Sequence, residues 1–189
     1  MGQLVRVTSS FIRLASTTQL TAGDEISNHA TAGSVVRPVF DFSGFRRGMI
    51  LGAGVGIVSD GTIVITALNF DMFLWKTAQI PAAVGHNVTW PLTGLQRTQA
   101  IGRFLFDDGG WQNPLGAYTA STSAFQYCPA GYPVPLSTPT IYSPTAGFPF
   151  EFKQGEAQTL TAGIQVLAAL DPGTEADTYN IVLDALVEA

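Results

Sequence analysis

The chain has 189 residues and a mass of 20.0 kDa, a length that suits one domain with its own hydrophobic core. Hydrophobic residues make up 46% of the chain but charged residues only 12%, against about 25% in an ordinary soluble domain. Such a composition excludes intrinsic disorder, which requires low hydrophobicity and high charge. The net charge of -5 repels a phosphate backbone and therefore disfavours direct nucleic-acid binding.

Features that would mark a cellular compartment are sparse. The single cysteine, Cys128, cannot form an intrachain disulfide and is expected to be a buried thiol. Residues 1–20 alternate polar and apolar side chains, which predicts synthesis in the cytoplasm without a signal peptide. The longest apolar stretches, such as residues 48–58, fall far short of the ~20 residues of a membrane-spanning helix, so no membrane partner is expected.

Alternation of polar and apolar residues runs along most of the chain and predicts β-strands. In residues 68–75 one parity is Leu, Phe, Met and Leu and the other begins with Asn and Asp, which predicts a strand with one buried face. Residues 178–188 alternate in the same way. The predicted strands cover residues 4–14, 35–42, 49–58, 62–67, 68–75, 101–106, 117–127, 158–170 and 178–188.

Glycine and proline separate these strands. Asp60-Gly61 is the best hairpin signal, since this pair tolerates the positive φ angles of a tight turn. Residues 128–150 contain six prolines and predict a long proline-rich loop or a series of edge excursions. The pattern as a whole predicts one all-β domain over residues 1–189, an antiparallel two-sheet β-sandwich or jelly-roll-like fold, with residues 1–13 as a candidate N-terminal arm or exchanged strand.

The motifs that could carry catalysis or bind a cofactor lack the neighbouring residues or elements that those functions require. Residues 52–56 (Gly-Ala-Gly-Val-Gly) precede a turn and a strand instead of the helix that a dinucleotide-binding loop needs, so these glycines are expected to relieve crowding or bend a strand. His29 and His86 lack metal-ligand spacing, and no Gly-x-Ser-x-Gly occurs. Asp107-Asp108-Gly109-Gly110 is typical of a solvated turn. We therefore predict no catalytic residue, no metal and no cofactor.

The shortage of charge points instead to a surface that lies against protein. Arg46 and Arg47 form the adjacent basic pair, and their guanidinium groups could make bidentate bonds with acidic groups of a partner, with ordinary surface arginines as the alternative. Trp111, in a polar segment, is either a packing anchor or a platform for a sugar ring.

Two segments resemble the start of small bacteriophage capsid decoration (cement) proteins. They are residues 11–28 (Phe-Ile-Arg-Leu-Ala-Ser-Thr-Thr-Gln-Leu-Thr-Ala-Gly-Asp-Glu-Ile-Ser-Asn) and 31–40 (Thr-Ala-Gly-Ser-Val-Val-Arg-Pro-Val-Phe). Family members begin with a strand, a Thr-x-Tyr-x-x-Gly-Asp segment and a Thr/Ser-rich turn into a second apolar strand. Here Leu20 stands where an aromatic is common. Residues 69–81 resemble the family's central strand and the last dozen residues its closing strand, whereas only the N-terminal third matches residue by residue.

The resemblance implies a structural virion protein that binds the outer surface of a phage capsid and stabilises contacts between capsomers. Its implied partners are the major capsid protein and further copies of itself, with a trimer favoured. The contacts are expected from the N-terminal segment and from arginine and aromatic side chains, namely Arg6, Phe11, Arg13, Arg46, Arg47, Trp111 and Tyr132. A spare edge of the N-terminal strand could also add to a neighbour's sheet.

Two other classes of function stay open at this point. A tail or fibre β-sandwich module would bind host surface glycans through exposed aromatics, and loss of glycan binding in a Trp111→Ala variant would favour it. An enzyme such as a glycan lyase or esterase lacks the acid, base and nucleophile that either reaction needs.

Overall fold

The computed structural model describes residues 2–15, 19–59, 69–106, 123–130, 147–168 and 176–188. Within these ranges the chain forms two antiparallel sheets that share one hydrophobic core, which confirms the predicted all-β sandwich. The strands are β1 (Gln3–Ile12), β2 (Glu25–Ile26), β3 (Val39–Asp41), β4 (Arg47–Ser59), β5 (Phe70–Lys76), β6 (Gly102–Phe106), β7 (Ser123–Pro129), β8 (Phe148–Glu151), β9 (Thr159–Val166) and β10 (Asp177–Glu188).

The first sheet, which we call the front sheet, has the strand order β1-β10-β4-β7. The 13 residues of β4 are long enough to pair with β10 along their whole length, while β7 and β8 share the other edge of β4. The back sheet has the order β2-β9-β5-β6, with β3 also paired to β9. Both sheets are therefore built mostly from strands that lie far apart in sequence.

The C-terminal strand shows how the front sheet packs. Every odd-numbered residue of β10 is buried and the even-numbered residues are half-buried or exposed, which confirms the alternation predicted for residues 178–188. The buried side chains face the back sheet and include Tyr179, Ile181 and Leu183. The front sheet thus buries one face in the core and leaves its other face to the surroundings.

The central strands β5 and β9 of the back sheet are buried on both faces along most of their length, which corrects one prediction. Residues 68–75 were expected to bury one face, yet Phe70–Trp75 are all buried, including Asp71. The second face of β5 packs under residues 77–101, where Trp90 meets the Trp75 ring at 5.5 Å. Asp71 is tolerated there because Arg103 of β6 forms an ion pair with it at 2.6 Å.

This covering segment contains the α-helix α1 (Gly94–Thr98) and a 3-10 turn (Thr77–Gln79), and a second 3-10 turn covers Ala32–Ser34. The period-two pattern did not predict the helix. Its signal is a capping box, in which the Thr93 side chain accepts from the Gln96 backbone N–H and the Gln96 side chain accepts from the Thr93 N–H.

The proline-rich stretch is more regular at both ends than a loop. β7 continues to Pro129, and β8 begins at Phe148, where Pro149 lies opposite Met49. Proline fits there because β8 pairs only with β4 among the described strands, so its other edge needs no donor. The predicted strand over residues 62–67, the hairpin at Asp60-Gly61 and residues 131–146 lie outside the described residues.

Candidate interaction surface

The exposed side of the front sheet, which we call the outer face, carries six exposed large hydrophobic side chains among polar and charged ones. It consists of the even-numbered residues of β1 and β10 together with the outward side chains of β4 and β7. Its exposed large hydrophobic residues are Leu4 (68%), Ile12 (59%), Val58 (46%), Phe125 (42%), Tyr127 (42%) and Leu186 (42%). Contiguous apolar patches on soluble proteins mark interaction sites more often than scattered single residues do.

A row of glycines lies in the middle of this face. Gly52, Gly54 and Gly56 alternate along β4, and the aromatic side chains of β7 extend across them. A Cβ atom added at Gly54 would stand 2.9 Å from Cζ of Phe125, closer than side chains tolerate. The predicted relief of crowding is confirmed at Gly52 and Gly54 but not at Gly56, where a Cβ atom would make only an ordinary contact, and β4 continues as a strand through all three.

A polar cluster occupies the centre of the outer face. Arg6 donates from Nε and Nη2 to the two carboxylate oxygens of Asp184 at 2.7 and 2.9 Å, and the Tyr127 hydroxyl donates to Asp184 Oδ2 at 3.0 Å. The hydrogen bond from Arg6 is the main reason that the pKa of Asp184 is lowered. Partial burial and the bond to Asp184 raise the pKa of Tyr127 to about 12. At neutral pH the carboxylate is charged, the phenol is neutral, and the guanidinium balances the charge.

A second ion pair repeats this balance at the end of the sheet. Arg47 Nε lies 2.6 Å from Glu188 Oε2, and both side chains are largely exposed. Beside the pair is a depression of about 450 Å³ whose apolar lining includes Met49, Phe150 and Leu186. A second depression of about 500 Å³ lies next to the central cluster, lined by residues that include Leu4 and Leu51. The outer face therefore combines two apolar depressions with the ion pairs Arg6–Asp184 and Arg47–Glu188, and Glu151 of β8 also lines the first depression.

The residues predicted as contacts divide into three groups. Arg6 and Arg47 lie on the outer face, and Arg46 is exposed beside it. Trp111 and Tyr132 lie outside the described residues.

Phe11 and Arg13, in contrast, are interior residues. Phe11 stacks on Tyr179 with ring centroids 5.0 Å apart, and Arg13 is 0% exposed and bound to Asp177 at 2.9 Å. Neither side chain can reach a partner while the chain keeps this conformation. The expectation was wrong because odd-numbered residues of β1 face the core, and Arg13, whose N–H bonds to the Asp177 carbonyl, continues that alternation one residue beyond the strand.

Sequence reasoning missed most of the residues that make the outer face distinctive. Phe125 and Tyr127 share one parity in β7 and lie over glycines that repeat with the same period in β4. A row of glycines at period two in one strand is a usable signal for aromatic side chains lying across it from a neighbouring strand. Asp184 could not be paired with Arg6 in advance, because 178 residues separate the two.

Catalytic and ligand-binding features are scarce among the residues that the structure describes. In those ranges no three His, Cys, Asp or Glu side chains come together as a potential metal site. None of the helices described is long and apolar enough to cross a membrane. Cys128 is buried, as predicted.

Comparison with known proteins gives structural likenesses only. No family model matches the sequence, and no curated protein matches it. One similar solved structure is a virus-like particle of the Macrobrachium rosenbergii nodavirus, with 10% sequence identity and a TM-score of 0.36 over 99% of this chain and 93% of that chain. A second is Cocksfoot mottle virus, with 8% identity and a TM-score of 0.34 over 100% of this chain and 96% of that chain. A third is the decameric BFDV capsid protein, with 7% identity and a TM-score of 0.29 over 100% of both chains. At such scores these likenesses carry no argument about what the chain does, and the sandwich fold rests on its own two sheets.

Proposed function

We propose that this chain is a structural virion protein of the decoration (cement) type, which binds the outer surface of a bacteriophage capsid and stabilises contacts between capsomers. The observation that carries the proposal is the outer face of the front sheet, with its exposed apolar residues and its internally paired charges. The resemblance of residues 11–28 and 31–40 to decoration proteins supports the assignment to a phage head.

The outer face has the properties that a stable protein–protein contact needs. A standard interface buries roughly 1,600 Å² in total, and most of its binding energy comes from a few aromatic and arginine side chains near the centre. Tyr127 and Phe125 occupy such a position, flanked by the Arg6–Asp184 pair. Because the rings already lie against the glycines of β4, little side-chain entropy is lost when a partner covers them.

The charge arrangement suggests which partner surface fits. Arg6 is balanced by Asp184 and Arg47 by Glu188, and the exposed Glu151 of β8, opposite Arg47, adds one negative charge at that end of the face. Burying a charge without a partner is costly, whereas pairs that remain intact avoid much of that cost. We expect the major capsid protein to offer a flat, mainly apolar patch, with Arg46 at the rim free to meet a carboxylate.

Binding to a capsid gives this fold a mechanical role that requires no active site. A protein that binds only the intact shell stabilises it by the free energy of binding, so each contact across a joint between capsomers must break before the shell opens. The resemblance favours a trimer as the bound form. The glycan-binding alternative calls on exposed aromatic side chains, with Trp111 as its test residue; Trp111 lies outside the described residues, and Phe125 and Tyr127 lie on the outer face that this proposal assigns to the capsid.

The test is co-sedimentation with heads of the encoding virus that have been assembled without this protein. The variants Phe125→Ala and Leu186→Lys remove an aromatic side chain and place a charge on the outer face, and each is expected to weaken binding about tenfold or more. Leu95→Lys is the matched control, because Leu95 is 69% exposed on α1, away from the front sheet. Unchanged binding by both outer-face variants, or equal loss in the control, would overturn the proposal.

A further inference from the structure

The first strand forms an open edge of the front sheet. β1 pairs with β10 on one side, and no described strand pairs with its other side. Beneath it, β3 approaches from the core side, where the Val39 N–H donates to Ser9 Oγ. Just beyond β1 the Leu14 N–H donates to the Ser27 carbonyl at 3.1 Å, and from Leu4 to Ile12 no described strand covers the edge.

The register shows which backbone groups point outward from this edge. Arg13 donates its N–H to the Asp177 carbonyl at 2.7 Å, which continues the β1–β10 register and marks the odd-numbered residues as the hydrogen-bonded ones. The N–H and C=O groups of the even-numbered residues must then point away from β10. These residues are Leu4, Arg6, Thr8, Ser10 and Ile12.

Soluble proteins usually protect such an edge, and β1 lacks the common protections. It runs for ten residues without proline or lysine and without a bulge in its pairing with β10. Its one charged residue, Arg6, is held by Asp184 on the outer face. No charged side chain of β1 points towards the core. A long, regular edge whose one charge is already paired is a template for another strand.

We propose that β1 pairs antiparallel with β1 of a second copy of this chain, about a twofold axis that passes through Thr8. In this register Thr8 lies opposite Thr8, Arg6 opposite Ser10, and Leu4 opposite Ile12 of the second copy. All five outward-facing residues exchange backbone hydrogen bonds, about ten in total. Leu4 and Ile12, at 68% and 59% exposure, cover each other at both ends of the contact.

Neighbouring registers form fewer backbone hydrogen bonds within β1 or bring like charges together. Moving the axis to Val7 places Ile12 opposite Gly2, outside β1. Moving it to Ser9 places Leu4 opposite Leu14, whose N–H already donates to the Ser27 carbonyl. Centring the contact on Arg6 places two guanidinium groups directly opposite each other, which is unfavourable. The edge is thus self-complementary in one register, as an isologous twofold contact requires.

The twofold axis stands perpendicular to the sheet, so the two outer faces join into one continuous surface on the same side. This self-association does not rest on the proposed function, because it uses the edge of the sheet and not its face. If both hold, a dimer presents two outer faces to the capsid and gains avidity. The trimer implied by the sequence resemblance would need a different contact.

The experiment is sedimentation equilibrium over a dilution series, with no capsid present. The wild type is expected at about 40 kDa, twice the 20.0 kDa of one chain. Thr8→Lys and Thr8→Glu each place two like charges at the axis and are expected to weaken the dimer about tenfold or more. An equimolar mixture of the two variants should restore the 40 kDa species, because opposite charges then meet at the axis.

Asn180→Lys is the matched control, since Asn180 lies on the same face, one strand in from the edge, opposite Ser10. It should leave the dimer intact, and thermal unfolding should show that all three variants fold. A wild type that stays at 20.0 kDa at every concentration, a species of about 60 kDa, or a dimer that Thr8→Lys and Thr8→Glu leave unchanged would overturn the proposal. So would a mixture that does not reassociate. Failure to bind virus heads would count against the proposed function and not against this contact.

Discussion

Gly52 of β4 lies directly beneath the end of the Tyr127 side chain on β7, and a Cβ atom at position 52 would overlap the phenol hydroxyl. The same hydroxyl donates to Asp184 Oδ2 on β10 at 3.0 Å. One missing methyl group thus lets a side chain from β7 cross β4 and reach a carboxylate on β10. The glycine is required by this close approach and not by a turn.

Gly52→Ala is expected to rotate Tyr127 away from Asp184. The lost hydrogen bond costs about 1 kcal/mol of unfolding free energy. Rotation into solvent also removes the burial that is the largest cause of the raised pKa of Tyr127, so this pKa falls from about 12 towards its ordinary value of 10.0. Chemical denaturation measures the first effect, and NMR titration of labelled tyrosine measures the second.

Gly56→Ala is the matched control on the same strand and face. A Cβ atom there would stand 3.6 Å from Phe125 Cδ2, an ordinary contact, so stability should hold or rise by about 0.5–1 kcal/mol. An unchanged Tyr127 titration in Gly52→Ala would contradict the arrangement described.

The sequence predicted strands well wherever one face of the strand is covered by the core and the other is not. β10 is the clearest case, since its alternation in the chain is its alternation in burial. The same alternation predicted only one buried face for β5, which is wrong because residues 77–101 cover the second face. Trp90 of that segment packs against Trp75. The alternation of polar and apolar residues describes one strand at a time, so it cannot predict that another segment covers the second face of that strand.

The interaction surface was harder to predict than the fold. Arg13 was expected at a contact, but its partner Asp177 stands 164 residues further along the chain. Leu4 and Ile12 are ordinary strand residues in the sequence, and only the order of strands reveals that they lie on an open edge. The pairing of strands that are distant in sequence decides whether such a residue is buried or exposed. That pairing cannot be inferred from a single sequence.

The buried Arg13–Asp177 pair should be essential to stability. Arg13→Met removes the cation from Asp177, which is almost fully buried, and a buried carboxylate deprived of its ion-pair partner is costly. We expect a loss of about 3–5 kcal/mol in unfolding free energy, measured by urea denaturation.

Arg47→Met removes the cation from an exposed pair with Glu188 and serves as the comparison. Solvent screens that pair, so the expected loss is about 0–1 kcal/mol. Equal losses in the two variants would show that burial does not determine the importance of the Arg13 pair.

His86 should make stability depend on pH. Burial, with repulsion from Arg13, lowers the pKa of His86 to about 4 despite the nearby Asp24. Its Nδ1 accepts the Ser27 N–H at 3.3 Å, which needs an unprotonated nitrogen. An unfolded chain binds a proton at this group near pH 6.5, so between pH 6.5 and 4 the unfolded state holds more protons. Unfolding free energy should therefore fall as pH is lowered through this window, by up to about 3 kcal/mol.

His86→Asn keeps an acceptor near the Ser27 N–H without a titrating group, and should flatten the profile between pH 6.5 and 4. His29→Asn, at an exposed histidine, should keep the slope of the wild type. Urea denaturation at a series of pH values compares the three proteins. A slope that survives in His86→Asn would assign the pH dependence to other groups.

Arg6 should control the charge state at the centre of the outer face. Its hydrogen bond is the largest cause of the lowered pKa of Asp184, so Arg6→Gln should raise that pKa towards the ordinary value. Part of the shift should remain, because Tyr127 still donates to the carboxylate. NMR titration of the Asp184 carboxyl group measures the change in pKa. Arg47→Gln alters a different ion pair and should leave the pKa of Asp184 unchanged.

At neutral pH the Arg6→Gln variant carries an unbalanced negative charge at Asp184 among apolar side chains. If the outer face binds the capsid, Arg6→Gln should weaken that binding more than Arg47→Gln does, since the central charge must be desolvated without a partner whereas the Glu188 end stays in contact with water.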